Sequence, residues 1–213
     1  MILQEERGVL IFSVTHDWED EKFFSYNPNK KAELYLGSPQ LYMQTTLAND
    51  FMKVINIHRR IIPQPVSKIG ELLNTLASDH DMILATDKWP RMKLDRGFQI
   101  GSKGGHGPIR YFVTDYQPKK SITFQFDMIG FDGFHKFELT ALDVDKTELS
   151  HIIDMTTTGM ATIQWALAIR WLHNAYIEDA FDKVDNYFTG EGRRSEWSFW
   201  VKILRKVMKP KRK

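Results

Sequence analysis

From Gly159 to Phe188 the chain carries an apolar stripe at helical spacing, with Trp165, Ile169, Leu172, Tyr176 and Ala180 recurring every three or four residues. Ile177, Phe181, Val184 and Phe188 widen the stripe toward its C-terminal end. The spacing predicts one amphipathic helix of about eight turns. Arg170, Asn174, Glu178 and Asp182, themselves four apart, are expected to form an opposite face in water, and Gly190 and Gly192 to supply the stop. A helix this long has to bury its stripe, and the only large apolar surface on offer is the set of strand-like segments just before it.

Those segments are punctuated clearly. Phe51 to Ile62 reads as a strand, ended by Pro63 and Pro65, after which Val66, Ile69, Leu72, Leu73 and Leu76 repeat at helical spacing. Ser78-Asp79-His80-Asp81 breaks that helix and Trp89-Pro90 marks a turn. Five strands are then predicted, at 97–102, 109–115, 121–129, 135–144 and 147–155. Their connections are too short for parallel crossovers, so neighbours must be antiparallel. The expected class is α+β, a curved antiparallel meander closed by the long helix. The division follows: an N-terminal extension at 1–40 with a strand at Gly8–Thr15 and a turn at Asn27–Lys31, a domain at 41–190, and a tail at 191–213.

Composition narrows the chemistry. With 42% hydrophobic and 13% aromatic residues, a real core is within reach of 213 residues. The chain has no cysteine, which excludes disulfides, thiolate metal sites and cysteine nucleophiles. No secretory leader and no apolar run of membrane-spanning length is read, so a cytoplasmic protein is expected, with contact to a membrane surface left open. There is no Gly-x-Ser-x-Gly elbow, and His80-Asp81 lacks the further ligands of a metal-dependent phosphohydrolase. Gly101–Gly107 is glycine-rich, but it precedes a strand, so it reads as a hairpin or rim and not as a phosphate loop.

Strand alternation assigns faces. Ile122, Phe124, Phe126 and Met128 share one face. On the next strand His135, Phe137, Leu139 and Ala141 point together, and on the last Leu149, His151, Ile153 and Met155 do so. Two histidines thus stand on otherwise apolar faces of consecutive strands, aimed at the long helix.

This order of strand, proline-punctuated helix (Ile61-Ile62-Pro63-Gln64-Pro65-Val66), meander and long C-terminal helix resembles the START-like or SRPBCC (Bet v 1-like) superfamily, and within it the polyketide cyclase/dehydrase group. Gly-Gly-His-Gly-Pro-Ile-Arg-Tyr at 104–111, Gly133-Phe134-His135-Lys136-Phe137 and Trp171-Leu172-His173 add to the likeness, which covers roughly residues 45–190. The resemblance implies a helix-grip fold, a sheet wrapped around the last helix with a hydrophobic cavity between them. Members bind lipids, sterols, quinones or polyketide-like molecules, and only some are enzymes. No cofactor is expected.

The residues themselves leave a packed core and a ligand cavity both open. The candidate lining is Tyr111, Phe124, Phe126, His135, Phe137, His151 and Ile153 from the sheet, with Trp165, Ile169, Leu172 and Tyr176 from the helix. His135 and His151 are candidate acid/base groups, or hydrogen-bonded core residues. A metal site is not expected, because a third ligand such as His173 or Asp154 would have to converge and Asp154 is predicted to face away.

The tail is chemically distinct. From Arg193 to Lys213 nine basic residues stand against one acid, Glu196, so the body is acidic within a total of 29 basic and 27 acidic residues. Trp197, Trp200, Val201, Leu204 and Met208 fall on one arc of a helix, with Lys202, Arg205, Lys206 and Lys209 across from them. Such a helix suits an anionic membrane surface, or it docks on the body or a partner. Nucleic acid is disfavoured, since the acidic body would oppose it. The expected function is binding or transport of a hydrophobic small molecule or lipid. The alternatives are a cyclase-type enzyme acting on a polyketide-like or aromatic substrate in the same cavity, and a protein-interaction module with a filled core. Oligomeric state is not legible.

Overall fold

A computed structural model of the chain describes residues 51–208, together with the backbone of a two-residue antiparallel pair, β1 (Glu5–Glu6) and β2 (Val9–Leu10). Most of the strand expected at Gly8–Thr15, the turn at Asn27–Lys31 and Lys209 lie outside the described residues.

One seven-stranded sheet dominates. It contains β3 (Phe51–Ile62), β4 (Lys93–Leu94), β5 (Lys103–His106), β6 (Ile109–Gln117), β7 (Ser121–Phe126), β8 (Phe131–Asp143) and β9 (Lys146–Thr158). The order is β3-β9-β8-β7-β6-β5-β4, with every neighbour antiparallel and the sheet open. Against it lie α1 (Val66–Leu73) and a long C-terminal helix. This is the α+β helix-grip architecture.

The glycine-rich stretch is the first arm and the turn of a hairpin, β5 running through Gly107-Pro108 into β6. The segment predicted at 97–102 is a turn, and β5 begins at Lys103. Phe98 and Ile100 suggested a strand, but Ile100 is exposed and Phe98 packs on Tyr116, ring centroids 4.8 Å apart. A Cβ on Gly104 would fall 1.9 Å from the Lys93 carbonyl oxygen, so glycine is what lets β4 and β5 approach.

The long helix is not one regular helix. It runs as α2 (Met160–Gln164), a π-helical turn (Trp165–Ile169) and α3 (Arg170–Thr189), closed by Gly190 in the left-handed conformation at φ 70°. Nor is its polar stripe solvated. Asn174 accepts from Asn56 Nδ2 at 3.1 Å, Glu178 meets His58 Nδ1 at 2.7 Å and Arg60 at 3.0 Å, and Asp182 meets Arg60 at 3.0 Å. The inward face of β3 alternates Val54, Asn56, His58, Arg60 and Ile62, so a polar strand face meets a polar helix face, and of these groups Asn56 Oδ1 is left buried without a partner. Arg170, at the head of the stripe, lies with its guanidinium 4.7 Å from the Trp171 ring.

Two apolar clusters result. The larger gathers Ile69, Leu73, Ile83, Val113, Phe124, Phe137, Leu149, Phe181 and Val184, and the smaller Val54, Phe131, Ile153, Met155, Ala161 and Trp165. Between them the packing opens.

Candidate functional site

A cavity of about 450 Å³ lies where the two clusters face each other. Its sheet wall is Phe126, Phe131, His135, Phe137, His151, Ile153 and Met155. Its helix wall is Trp165 and Ile169 from the π-turn, with Leu172, His173, Tyr176 and Ile177 from α3. The π-turn inserts one residue into the helical phase, which keeps Trp165 and Ile169 on the cavity side along with Leu172 and His173. The cavity is also bordered by Trp89, Pro90 and Met92, by His106 to Ile109 around the β5–β6 turn, and by Arg205 and Met208 of a last helix, α4 (Phe199–Met208). The wall surface is overwhelmingly apolar.

Set into that wall is a cluster of imidazoles. His135 stacks on Phe124, centroids 4.8 Å apart and planes 18° off parallel, and its Nδ1 lies 3.3 Å from His151 Nε2. His173 packs against His151 at 4.9 Å, and His106 stacks on Tyr176 at 4.9 Å while its Nδ1 meets the Tyr111 hydroxyl at 3.0 Å. Burial, reinforced by Arg110, pushes the His106 imidazole down to about 4. Burial and the neighbouring His106 take His135 to about 3. Burial and the other imidazoles hold His151 and His173 well below the usual histidine range. All four are therefore neutral at pH 7. Of the other ring nitrogens, His135 Nε2, His151 Nδ1 and both of His173 are buried without a hydrogen-bond partner, as is the Tyr176 hydroxyl. Each such group costs about 1–3 kcal/mol when left unsatisfied. Neutral imidazoles can both donate and accept, so the cluster is suited to hydrogen bonding with an uncharged polar group. As proton acceptors at neutral pH such weakly basic rings are poor.

The sequence-derived candidates divide. Phe126, His135, Phe137, His151, Ile153, Trp165, Ile169, Leu172 and Tyr176 all border the cavity. Tyr111 and Phe124 instead stand in the larger cluster behind it, fully packed against neighbouring rings. Sequence reasoning did not assign His106, Trp89 or Arg205 to the cavity: Trp89 was read as part of a turn and Arg205 as part of the tail's basic face, and only the histidine within Gly-Gly-His-Gly gave any signal of the first. Asp154 faces away and pairs with Lys53. Among the described residues no group of three His, Asp or Glu side chains has the geometry to hold a metal.

The tail helix is docked on the body through the apolar arc the wheel assigned, with Val201 buried and Met208 at the cavity, and Arg205 joins that arc. Arg205, placed on the outer basic face by sequence, is inserted between Trp89 and Trp197, its guanidinium carbon 4.1 Å from each ring, and it donates to the Lys88 carbonyl at 2.6 Å. The buried Asp179 carboxylate accepts from Trp197 Nε1 at 2.8 Å, Trp89 Nε1 at 2.7 Å and Lys88 Nζ at 2.6 Å. Trp200 Nε1 donates to the Leu167 carbonyl in the π-turn at 2.8 Å. Leu204 is half-buried, whereas Lys202 and Lys206 remain in water. Trp197 and Arg205 are thereby turned toward the body and half-buried. Among the described residues no helix is long and apolar enough to cross a membrane.

No family model matches the chain, and no curated protein matches it. Solved structures do. A protein from Thermobifida fusca is similar at a TM-score of 0.51 and 6% identity, covering 68% of this chain and 99% of that one. One from Nitrosospira multiformis is similar at 0.50 and 14%, covering 66% and 100%. A point mutant of norcoclaurine synthase from Thalictrum flavum, solved in complex with a transition-state analogue, is similar at 0.50 and 10%, covering 64% and 96%. At these identities the likeness concerns architecture alone, and what it establishes is that the chain has the Bet v 1-like helix-grip fold.

Proposed function

We propose that the protein binds a hydrophobic small molecule or lipid between the sheet and the C-terminal helix. The observation that carries this is the cavity of about 450 Å³, apolar in its walls but bordered by His135, His151, His173 and Tyr176 with unpartnered polar atoms. A mostly apolar molecule bearing an uncharged hydroxyl or carbonyl would replace water along the walls and give those atoms partners. The fold is one that holds such ligands, and the neighbours of known structure fit ligand binding or cyclase-like chemistry equally. Membership of the polyketide cyclase/dehydrase group belongs to the same proposal.

Cyclase-type catalysis is the second reading, and the 3.3 Å contact between His135 and His151 is what favours it. Their suppressed basicity suits orientation of a substrate better than proton abstraction from it. A filled-core interaction module fits poorly with the open space beside Trp165 and Tyr176.

Native mass spectrometry of the purified protein, followed by solvent extraction, tests the proposal. The expected result is an apolar small molecule that stays with the folded chain and is released on denaturation. A ligand-free chain that also takes up none from an added lipid extract would contradict it.

A further inference from the structure

The outer face of the cavity's helix wall is itself exposed and apolar. Met160, Ile163 and Leu167 follow one another along α2 and the π-turn, and from Met160 to Ile169 there is no charged residue. The β7–β8 turn abuts the start of this helix, since a Cβ on Gly130 would fall 2.7 Å from Ala161 Cβ, and it presents Ile129. At the other end Trp200, fastened to the Leu167 carbonyl, continues the row to Phe199. These six side chains are between 41% and 100% exposed. A solvated helix ordinarily sets charges on its outer face, and a contiguous apolar row of this kind marks an interaction surface.

Charge identifies what it meets. Every charged residue of α4 is basic, Lys202 and Lys206 are exposed beside Trp200, and the chain continues beyond Met208 as Lys-Pro-Lys-Arg-Lys. Arg194 is exposed on the approach to α4, where Arg193 pairs with Asp185 at 3.3 Å and Glu196 is the one acid between Arg193 and Met208. An apolar row with a tryptophan, flanked by lysines and carrying no acid of its own, matches the interface of a bilayer with anionic headgroups. We infer that the row from Ile129 through Met160, Ile163 and Leu167 to Trp200 and Phe199 is a docking surface for an anionic lipid membrane. It is not the face the helical wheel of the tail indicated, because Trp197 and Arg205 point inward. The inner side of the same helix carries Trp165 and Ile169, so a docked membrane lies one helix away from the cavity.

Sedimentation of the full chain with phosphatidylcholine vesicles, with and without added phosphatidylserine, tests this. The wild type should sediment with the phosphatidylserine vesicles and do so more weakly as salt rises. Ile163→Glu with Leu167→Glu should weaken binding by more than about tenfold. Lys202→Glu with Lys206→Glu should abolish the preference for phosphatidylserine. All four positions are exposed or edge positions, so folding is retained, which far-UV circular dichroism checks, and dye uptake by the cavity reports separately on ligand binding. Absence of wild-type binding to either vesicle overturns the inference, as does equal binding by the Ile163/Leu167 variant. A wild-type dimer that this variant dissolves, without vesicle binding, would assign the row to a second copy of the chain and equally overturn it.

Discussion

His135 sits in an environment far from its ordinary chemistry. It is stacked on Phe124, touches His151 and is held neutral by burial. In the unfolded chain the same ring titrates near about 6.5. The folded pKa is depressed, so the unfolded state binds more protons below that pH. The stability that results is fully present above about 6.5 and is lost as the pH falls toward about 4 for His106 and about 3 for His135. The urea midpoint should therefore drop steeply between pH 7 and pH 4.5. His135→Phe keeps the stacking ring and removes both the titration and the unpartnered Nε2. It should leave stability at pH 7 within about 1 kcal/mol of the wild type and flatten the slope by up to about 1.4 kcal/mol per pH unit. Denaturant titrations across that range measure it, and an unchanged slope would contradict the neutral, buried assignment.

Among the elements, β3 and α3 are joined by an ion and hydrogen-bond ladder beside the apolar cluster that holds Ile62. Arg60 reaches Glu178 and Asp182 at 3.0 Å each and Asp185 at 3.6 Å. Removing this cation takes the ion-pair partner from buried Asp182, while Glu178 keeps its contact to His58 and Asp185 its contact to Arg193, so Arg60→Met should lower unfolding free energy by about 3–5 kcal/mol. Arg60→Lys should recover only part, since an ammonium cannot fork between two carboxylates. Thermal denaturation compares the three, and a loss no larger than that of an ordinary surface substitution would show the ladder to be solvated. This ladder was illegible in the sequence. Asn56, His58 and Arg60 alternate as a solvent face would, and Asn174, Glu178 and Asp182 recur as a solvent face would. Only their juxtaposition makes them interior. The strands β6 to β9 were legible because Phe124, Phe137, Leu149 and Ile153 alternate with polar residues. β5 was not, since Lys103-Gly104-Gly105-His106 has scarcely any side chain to alternate. The π-turn escaped because a fixed period of 3.6 was read through Trp165 and Ile169.

For the whole molecule, sequence pattern was enough to expect a sheet gripping a helix, and it named most of the side chains that border the space between them. It could not say that space would remain. Whether Phe126, Trp165 and Leu172 interdigitate or stand apart depends on sheet curvature and helix phase, which no periodicity encodes. Docking of the tail on the body was among its readings, but it misplaced Arg205, since a helical wheel ranks that residue as polar and therefore outward, whereas two indole faces make the inside the better place for it. The account as a whole rests on the cavity accepting an apolar guest. Fluorescence titration with N-phenyl-1-naphthylamine, an uncharged aromatic probe, measures that directly on the wild type and on Leu172→Trp, which narrows the cavity from its helix wall. Saturable binding by the wild type, weakened by at least about tenfold in Leu172→Trp, is the predicted result; no saturable binding, or equal binding by a folded Leu172→Trp chain, would contradict it.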